Sequence, residues 1–334
     1  MYIKKCLAEL SAAEGVSGAE NRACETALKM LKKYDKNAYV KNGCVFGRIG
    51  NGKTKVLLDA HIDQTGLIVT YITDDGFVKV SNCGGIDRRL LPAQRVRIHG
   101  KKTVDGVVVS TPPHLSDDDG KTMKWSDVMI DTGYSGDELR KLISLGDRIT
   151  FCGEFEELCG DRVTGLAMDD RSGVAAILYA LSLIDEEKLG CTLDILFSSQ
   201  EEVGERGAKT ASFTLNPDIS LAVDVSFAYA CGEKEEKCGK LGEGVMIGIA
   251  PVLDRELSDE FIALAEKKKI PYQTEVMSGQ TGTNADQFSV CRDGSAAVTL
   301  SIPLRYMHTP VEIVDINDIK ATGKLIAEYV RGVK

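Results

Sequence analysis

The run Lys55-Val-Leu-Leu-Asp-Ala-His-Ile-Asp-Gln-Thr-Gly66 decides the fold. Its first six residues, KVLLDA, form a nearly continuous apolar run rather than an alternating one. That pattern suits a parallel strand covered on both faces. His61 follows directly, at the place where open α/β sheets put their ligands. The same texture returns later in the chain. Leu193–Phe197 and Leu221–Val225 read as buried strands, with helices predicted around them. Val174, Ile177, Leu178, Leu181 and Ile184 share one helical face. A further helix is predicted to open at Ser258 and to bury Phe261, Leu264 and Ala265, and a last one starts at Asp315. Strands alternating with helices predict an α/β domain, with a mixed, mostly parallel sheet covered by helices on both faces.

Working back toward the N-terminus, Ser17-Gly-Ala-Glu20 has capping-box spacing before Ala23, Ala27, Met30 and Leu31. Asn42-Gly43 and Asn51-Gly52 bracket a short hairpin strand, CVFGRIG. Beyond Gly66 the texture changes. LIVTYI, GFVKVS, RVRIHG and DGVVVST are short β-type runs separated by glycine or proline. TPPHLSDDDGKT (111–122) reads as a loop. VMIDTG reads as a strand, and Ser135-Gly-Asp-Glu138 opens a short helix. Residues 67–160 are therefore expected to form an inserted β-rich, barrel-like domain. Residues 1–66 and 161–334 would form one discontinuous catalytic α/β domain.

Composition narrows the function. The 334 residues carry 50 Asp+Glu against 41 Lys+Arg, a net charge of −9. A nucleic-acid binder wants a basic face, so no nucleic-acid partner is expected. No apolar run approaches the roughly 18 residues that span a bilayer. No secretory signal is read at the start, so a cytoplasmic protein is expected. Ten cysteines without a CxxC pair are expected to be reduced thiols, several of them buried.

Only four histidines are present. His99 and His114 read as surface residues. His61 has Asp63 two residues on, able to orient an imidazole. Asp169-Asp170 opens a helix, Glu201-Glu202 follows a strand, Asp224 interrupts the apolar strand LAVDVS, and His308 lies in RYMHTPVE. Singly, each has a bland reading: a helix cap, a solvated turn, a loop histidine. Asp224 resists it, because a charge among apolar residues needs a partner. Together, two imidazoles and several carboxylates fall at strand ends. Such mixed ligands suit zinc, cobalt or manganese. Adjacent glutamates allow one to bind metal while the other serves as a base, as metal-assisted hydrolysis requires.

The order HIDQTG, AMDDRSG, QEEVGERGA, AVDVS, RYMHTP, together with the opening GVSGAE, resembles the dinuclear metallo-aminopeptidases of the TET type. These include glutamyl and deblocking aminopeptidases, and some relatives have carried the label endoglucanase or cellulase. The resemblance spans nearly the whole chain. It implies two divalent ions, zinc or cobalt. His61 and Asp224 would each bind one ion, and Glu202 and His308 the other, with Asp169 as the bridge. Glu201 would be the general base and Asp63 would orient His61. The resemblance also implies a cis peptide bond between Asp169 and Asp170. It implies peptide substrates with a free N-terminus, and a homo-oligomer in the form of a hollow tetrahedral dodecamer built through the barrel-like unit. The chain departs from the family pattern at Gln64, where glutamate is common, and at Asn284 in Gly282-Thr-Asn-Ala285, where GTDA is common. An acylase or carboxypeptidase-like hydrolase on the same scaffold is the nearest alternative. A glycosidase would need two carboxylates flanking a sugar bond but no histidine. A non-enzymatic scaffold would need a vestigial ligand set.

Overall fold

The computed structural model describes residues 2–110, 114 and 122–334. Helices α1 (Tyr2–Ser11) and α2 (Asn21–Leu31) precede a hairpin, β1 (Tyr39–Lys41) and β2 (Cys44–Ile49), and the strand β3 (Lys55–His61). Six strands follow: β4 (Gly66–Ile72), β5 (Val78–Cys83), β6 (Arg95–His99), β7 (Thr103–Val108), β8 (Met129–Asp131) and β9 (Arg148–Phe151), with α3 (Gly136–Leu142) before the last. The chain continues through β10 (Glu156–Glu157), β11 (Arg162–Gly165), α4 (Met168–Leu183), β12 (Thr192–Ser198), α5 (Arg206–Leu215), β13 (Ile219–Phe227) and β14 (Val245–Ile249). It ends with α6 (Arg255–Lys268), β15 (Tyr272–Val276), α7 (Ala285–Phe288), β16 (Ala296–Arg305), β17 (Glu312–Asp315) and α8 (Ile316–Gly332).

The large sheet runs β1-β2-β12-β3-β13-β16-β17-β11-β10, with β14 and β15 branching from β16. It is mixed. Its centre, β12, β3, β13 and β16, is parallel, as is the β14–β15 branch, and the other pairings are antiparallel. Alternate residues of the parallel strands face two different helical layers. Leu58, Ile195, Val223 and Leu300 pack under α1, α2, α4, α6 and α8. Leu57, Leu196, Ala222 and Ala297 pack under α5 and α7. Burial on both faces accounts for the unbroken apolar runs. Phe197 is fully buried here, and truncating such a side chain to alanine costs about 3–5 kcal/mol.

Strands β4-β5-β8-β7-β6-β9 close into a barrel. Val69, Val80, Val96, Ile98, Val104, Ile130 and Ile149 fill it. Closure leaves no unpaired edge to recruit other strands. At the β1–β2 hairpin, Asn42 and Gly43 both take positive φ, 52° and 76°, as a tight hairpin turn requires.

Three local expectations change. Ser17 caps nothing: α2 begins at Asn21 with Glu20 at its N-cap, and the Ser17 hydroxyl donates to Asp63 instead. The helix expected from Ser258 opens at Arg255, where the Asp254 carboxylate accepts the Leu257 N–H at 2.8 Å. Ser258 is buried within that helix and donates to the Gly248 carbonyl. His99 is not a free surface residue. Its Nδ1 lies 3.0 Å from a Glu14 oxygen and its Nε2 2.9 Å from the Thr150 hydroxyl. His114 is exposed; the rest of the loop read at 111–121 lies outside the described residues. Helix α1 is an addition, its Ile3, Leu7 and Leu10 turned to the core. No helix among the described residues is long and apolar enough to cross a membrane.

Candidate metal centre

Strand β3 delivers His61 to the carboxyl end of the sheet, and its parallel neighbours deliver the rest. Beyond β12 the chain turns through Gln200, Glu201 and Glu202; β13 carries Asp224; the turn after β16 carries His308. Helix α4 brings Asp169 and Asp170 to the same point, and the peptide bond between them is cis. His61 Nε2 lies 2.8 Å from Asp169 Oδ1 and 3.9 Å from Asp224 Oδ1. His308 Nε2 lies 3.3 Å from Asp169 Oδ2 and 3.4 Å from Glu202 Oε1. The five residues read as ligands thus converge around Asp169, whose two oxygens each face a different imidazole.

Asp63 is fully buried behind them. Its Oδ1 accepts the Glu201 N–H at 3.0 Å and lies 3.5 Å from His61 Nδ1. Its Oδ2 accepts the Ser17 hydroxyl at 2.6 Å and the Glu202 N–H at 3.3 Å. Asp63 therefore meets the imidazole through its carbonyl oxygen, 3.2 Å from Nδ1, as well as through Oδ1, and its side chain fixes the two-glutamate turn.

The electrostatics favour a cation. Burial, reinforced by neighbouring Asp169, pushes the Glu202 carboxyl well above the ordinary carboxylate range. Burial does the same to Asp224 and Asp170. Glu201 is pushed up to about 8 by burial, against the pull of His61. Burial alone would lower His61, but hydrogen bonds to Asp169 and Asp63 outweigh it and raise its pKa well above the usual imidazole value. Asp169 is held below the usual carboxylate range: burial opposes this, but His308 and His61 win. Asp170 Oδ2 is buried without a hydrogen-bond partner. Within the cluster, His61, Asp169 and Glu202 offer ligand atoms within 4.8 Å of one another, as do His61, Asp170 and Asp224. Nitrogen and oxygen donors, packed carboxylates and an orphaned oxygen together fit divalent cations.

A family model for M42 glutamyl aminopeptidases matches residues 43–325. The chain belongs to the M42 glutamyl aminopeptidase family. It is accordingly a metal-dependent aminopeptidase, a peptide hydrolase. The lysyl aminopeptidase of Pyrococcus furiosus is 34% identical over 330 residues, covering 96% of this chain and 94% of that one. An aminopeptidase structure from the archaeon Desulfurococcus kamchatkensis superposes with a TM-score of 0.94 at 32% identity, covering 100% of this chain and 95% of the other. The TET1 peptidase of Pyrococcus horikoshii, described as assembling into a tetrahedron or a large octahedral shell, gives 0.87 at 32% identity over 98% and 99% of the two chains. A Thermotoga maritima structure named endoglucanase gives 0.79 at 28% identity over 97% and 96%. The glycosidase label thus attaches to a more distant neighbour.

Four contributors to the centre of this M42 member escaped the sequence reading. Asp170 enters the cluster itself. Ser17 anchors Asp63. Arg171 is fully buried, lowered by burial to about 10, and donates from Nη1 to the Leu10 and Ala13 carbonyls. Glu312, also buried, accepts the His308 N–H at 2.7 Å and the Asp169 N–H at 3.2 Å. It stands at the end of the very motif, RYMHTPVE, that drew attention to His308. Gln64 lines the crevice at the centre with Thr65, Phe151 and Leu166. Asn284 lies deeper and donates to Asp59 Oδ2 at 2.7 Å and to the Ser198 hydroxyl at 2.8 Å.

The barrel also reaches the centre, through the turn after β5. A Cβ on Gly84 would lie 3.1 Å from Glu202 Oε2, and one on Gly85 would lie 3.1 Å from His308 Nδ1. Gly84 has φ +81° and needs glycine for its backbone as well. Gly85 has no such need, so its missing side chain leaves room for the imidazole.

Proposed function

We propose that the protein removes N-terminal residues from peptides at a dinuclear centre held by His61, Asp169, Glu202, Asp224 and His308. The observation that carries this reading is Asp169, with His61 at one carboxylate oxygen and His308 at the other. That arrangement supports a carboxylate that would bridge two ions, one held with His61 and Asp224 and one with Glu202 and His308. The donor set suits zinc or cobalt. When bound, such ions acidify water and polarise a carbonyl.

The chain's own residues do the rest. Asp63 holds His61 through Nδ1 and fixes the turn that presents Glu201. Glu201 takes the proton of the attacking water and passes it to the departing amine. The excess of buried carboxylates around Asp170 and Asp224 suits the cationic N-terminus of a peptide.

Residues 1–66 and 161–334 would act as the catalytic unit, and 67–160 would serve assembly and access. A homo-oligomer, with a tetrahedral dodecamer as its leading form, and a cytoplasmic setting complete the reading. The deciding experiment measures metal content and turnover on aminoacyl-nitroanilides, beside free and N-acylated peptides, with and without chelator. Cleavage of free-amino peptides that chelation abolishes is the expected result. Cleavage restricted to N-acylated peptides would instead make it an acylase. Light scattering on the native particle tests assembly, and a stable monomer under active conditions would remove that part.

A further inference from the structure

The metal centre is closed at one end and open at the other. His61, Asp170 and Asp224 are buried, whereas the His308 side chain is 30% exposed. On an exopeptidase the first residue occupies the closed end, so the rest of the peptide must leave past His308. On that side Gln64, Phe151 and Leu166 line both a narrow crevice at the centre and a cavity of about 470 Å³ between the barrel and the end of α1. That volume falls in the range of small-ligand sites, about 300–1,000 Å³.

The two walls differ in charge. Along β6, Val96 and Ile98 point into the barrel core, so Arg95 and Arg97 point outward and line the cavity. Arg95 has no carboxylate within 4.0 Å among the described residues, and Arg97 shares Asp105 at 2.9 Å. On the facing wall Glu14 is matched by Arg22 at 2.7 Å and by His99. Glu154 and Glu156, further along, are solvent-exposed. They are as exposed as Arg95 and Arg97, and the cavity's two guanidiniums stand together on the barrel wall.

We propose that this cleft receives the peptide beyond the scissile bond and that Arg95 and Arg97 hold its terminal carboxylate, so that short peptides with a free C-terminus are preferred. The inference rests on the aminopeptidase reading of the metal centre. Guanidinium suits a carboxylate because its fixed donors match two oxygens at once.

The test uses the metal-loaded enzyme and tri- to pentapeptides beginning with whichever residue it cleaves best, each as free acid and as C-terminal amide. The wild type should favour the acid by about fivefold in kcat/KM, mostly through KM, which is the scale of one exposed ion pair. In R95A/R97A the preference should collapse to about one. In R95K/R97K, which keeps the charge, part of it should return. Arg95 and Arg97 are both exposed, so the fold should survive, and the single variant R95A serves if the double variant is destabilised. Equal cleavage of acid and amide by the wild type would overturn the inference. So would a preference undiminished in R95A/R97A. Failure to cleave any peptide with metal bound would overturn the aminopeptidase reading, and this inference with it.

Discussion

Glu312 Oε1 accepts the backbone N–H of His308 at 2.7 Å, so a buried carboxyl sets the turn that carries the most exposed histidine of the centre. The other oxygen accepts the Asp169 N–H at 3.2 Å. Glu312 thus holds the backbone of two residues that face each other across the centre. Glu312→Gln keeps the volume but turns an amide NH2 toward one of those N–H donors. Metal affinity should fall about 10–100-fold, as for other outer partners of metal ligands. Calorimetric titration of the metal-free variant checks this, and wild-type affinity would show Glu312 to be structural only.

The adjacent glutamates separate by role. Glu201→Gln should retain bound metal and lose turnover by about 10²–10⁴-fold, the usual cost of a missing general base. Glu202→Gln should lose metal and recover part of its activity in excess metal. Metal analysis and turnover on both variants decide the matter. The opposite pattern would exchange the assignments.

Metal binding should release protons. His61, Glu202 and Asp224 all hold protons above their ordinary values in the metal-free protein, and each must lose one to ligate. Affinity should therefore rise with pH and weaken as pH falls from about 8 to 5. Calorimetry in buffers of different ionisation enthalpy counts the protons. Stability has its own sign. Groups whose pKa is higher folded than unfolded bind more protons when folded, so the metal-free protein loses stability as pH rises through those values. Its melting temperature should drop as pH rises past the ordinary values of these groups, about 4 to 6.5, and added metal should cancel the drop.

Gly85→Ala places a methyl 3.1 Å from His308 Nδ1. The imidazole must shift by a few tenths of an ångström, which strains coordination on the Glu202–His308 side alone. One of two binding steps in a metal titration should weaken while the other stays. Two unchanged steps would mean that the turn yields instead of the ring.

The legible part of the centre was legible for a physical reason. A parallel sheet places functional groups at its strand ends, so His61, Glu201 and Glu202 stood out after apolar runs, and Asp224 stood out inside one. Glu312 and Arg171 gave no such sign. Arg171 acts on α1, and Glu312 on α4 as well as on His308 four residues away, so their partners are fixed only when the chain folds back on itself or turns. Ser17 misled because Ser-x-x-Glu spacing serves a helix cap and a buried carboxylate partner equally well. The barrel's strands were readable from their alternation. Their circular order was not, because β5 pairs with β8 rather than with β6, a register choice made across distant residues. Helix α1 is short and depends on packing against α4.

The barrel enters and leaves the host domain through paired strands: Leu67 on β4 stands opposite Ile149 on β9. To the large sheet the whole insertion is one loop whose ends are a single strand spacing apart, about 4.8 Å. Such a module can be enlarged, trimmed or resurfaced without disturbing the register of its host, and that gives a lineage wide latitude in what the barrel presents to its surroundings. The latitude ends where the module meets the centre, at Gly84 and Gly85 and at Phe151. Remodelling on the far side of the barrel leaves the centre alone; remodelling that turn presses on Glu202 and His308.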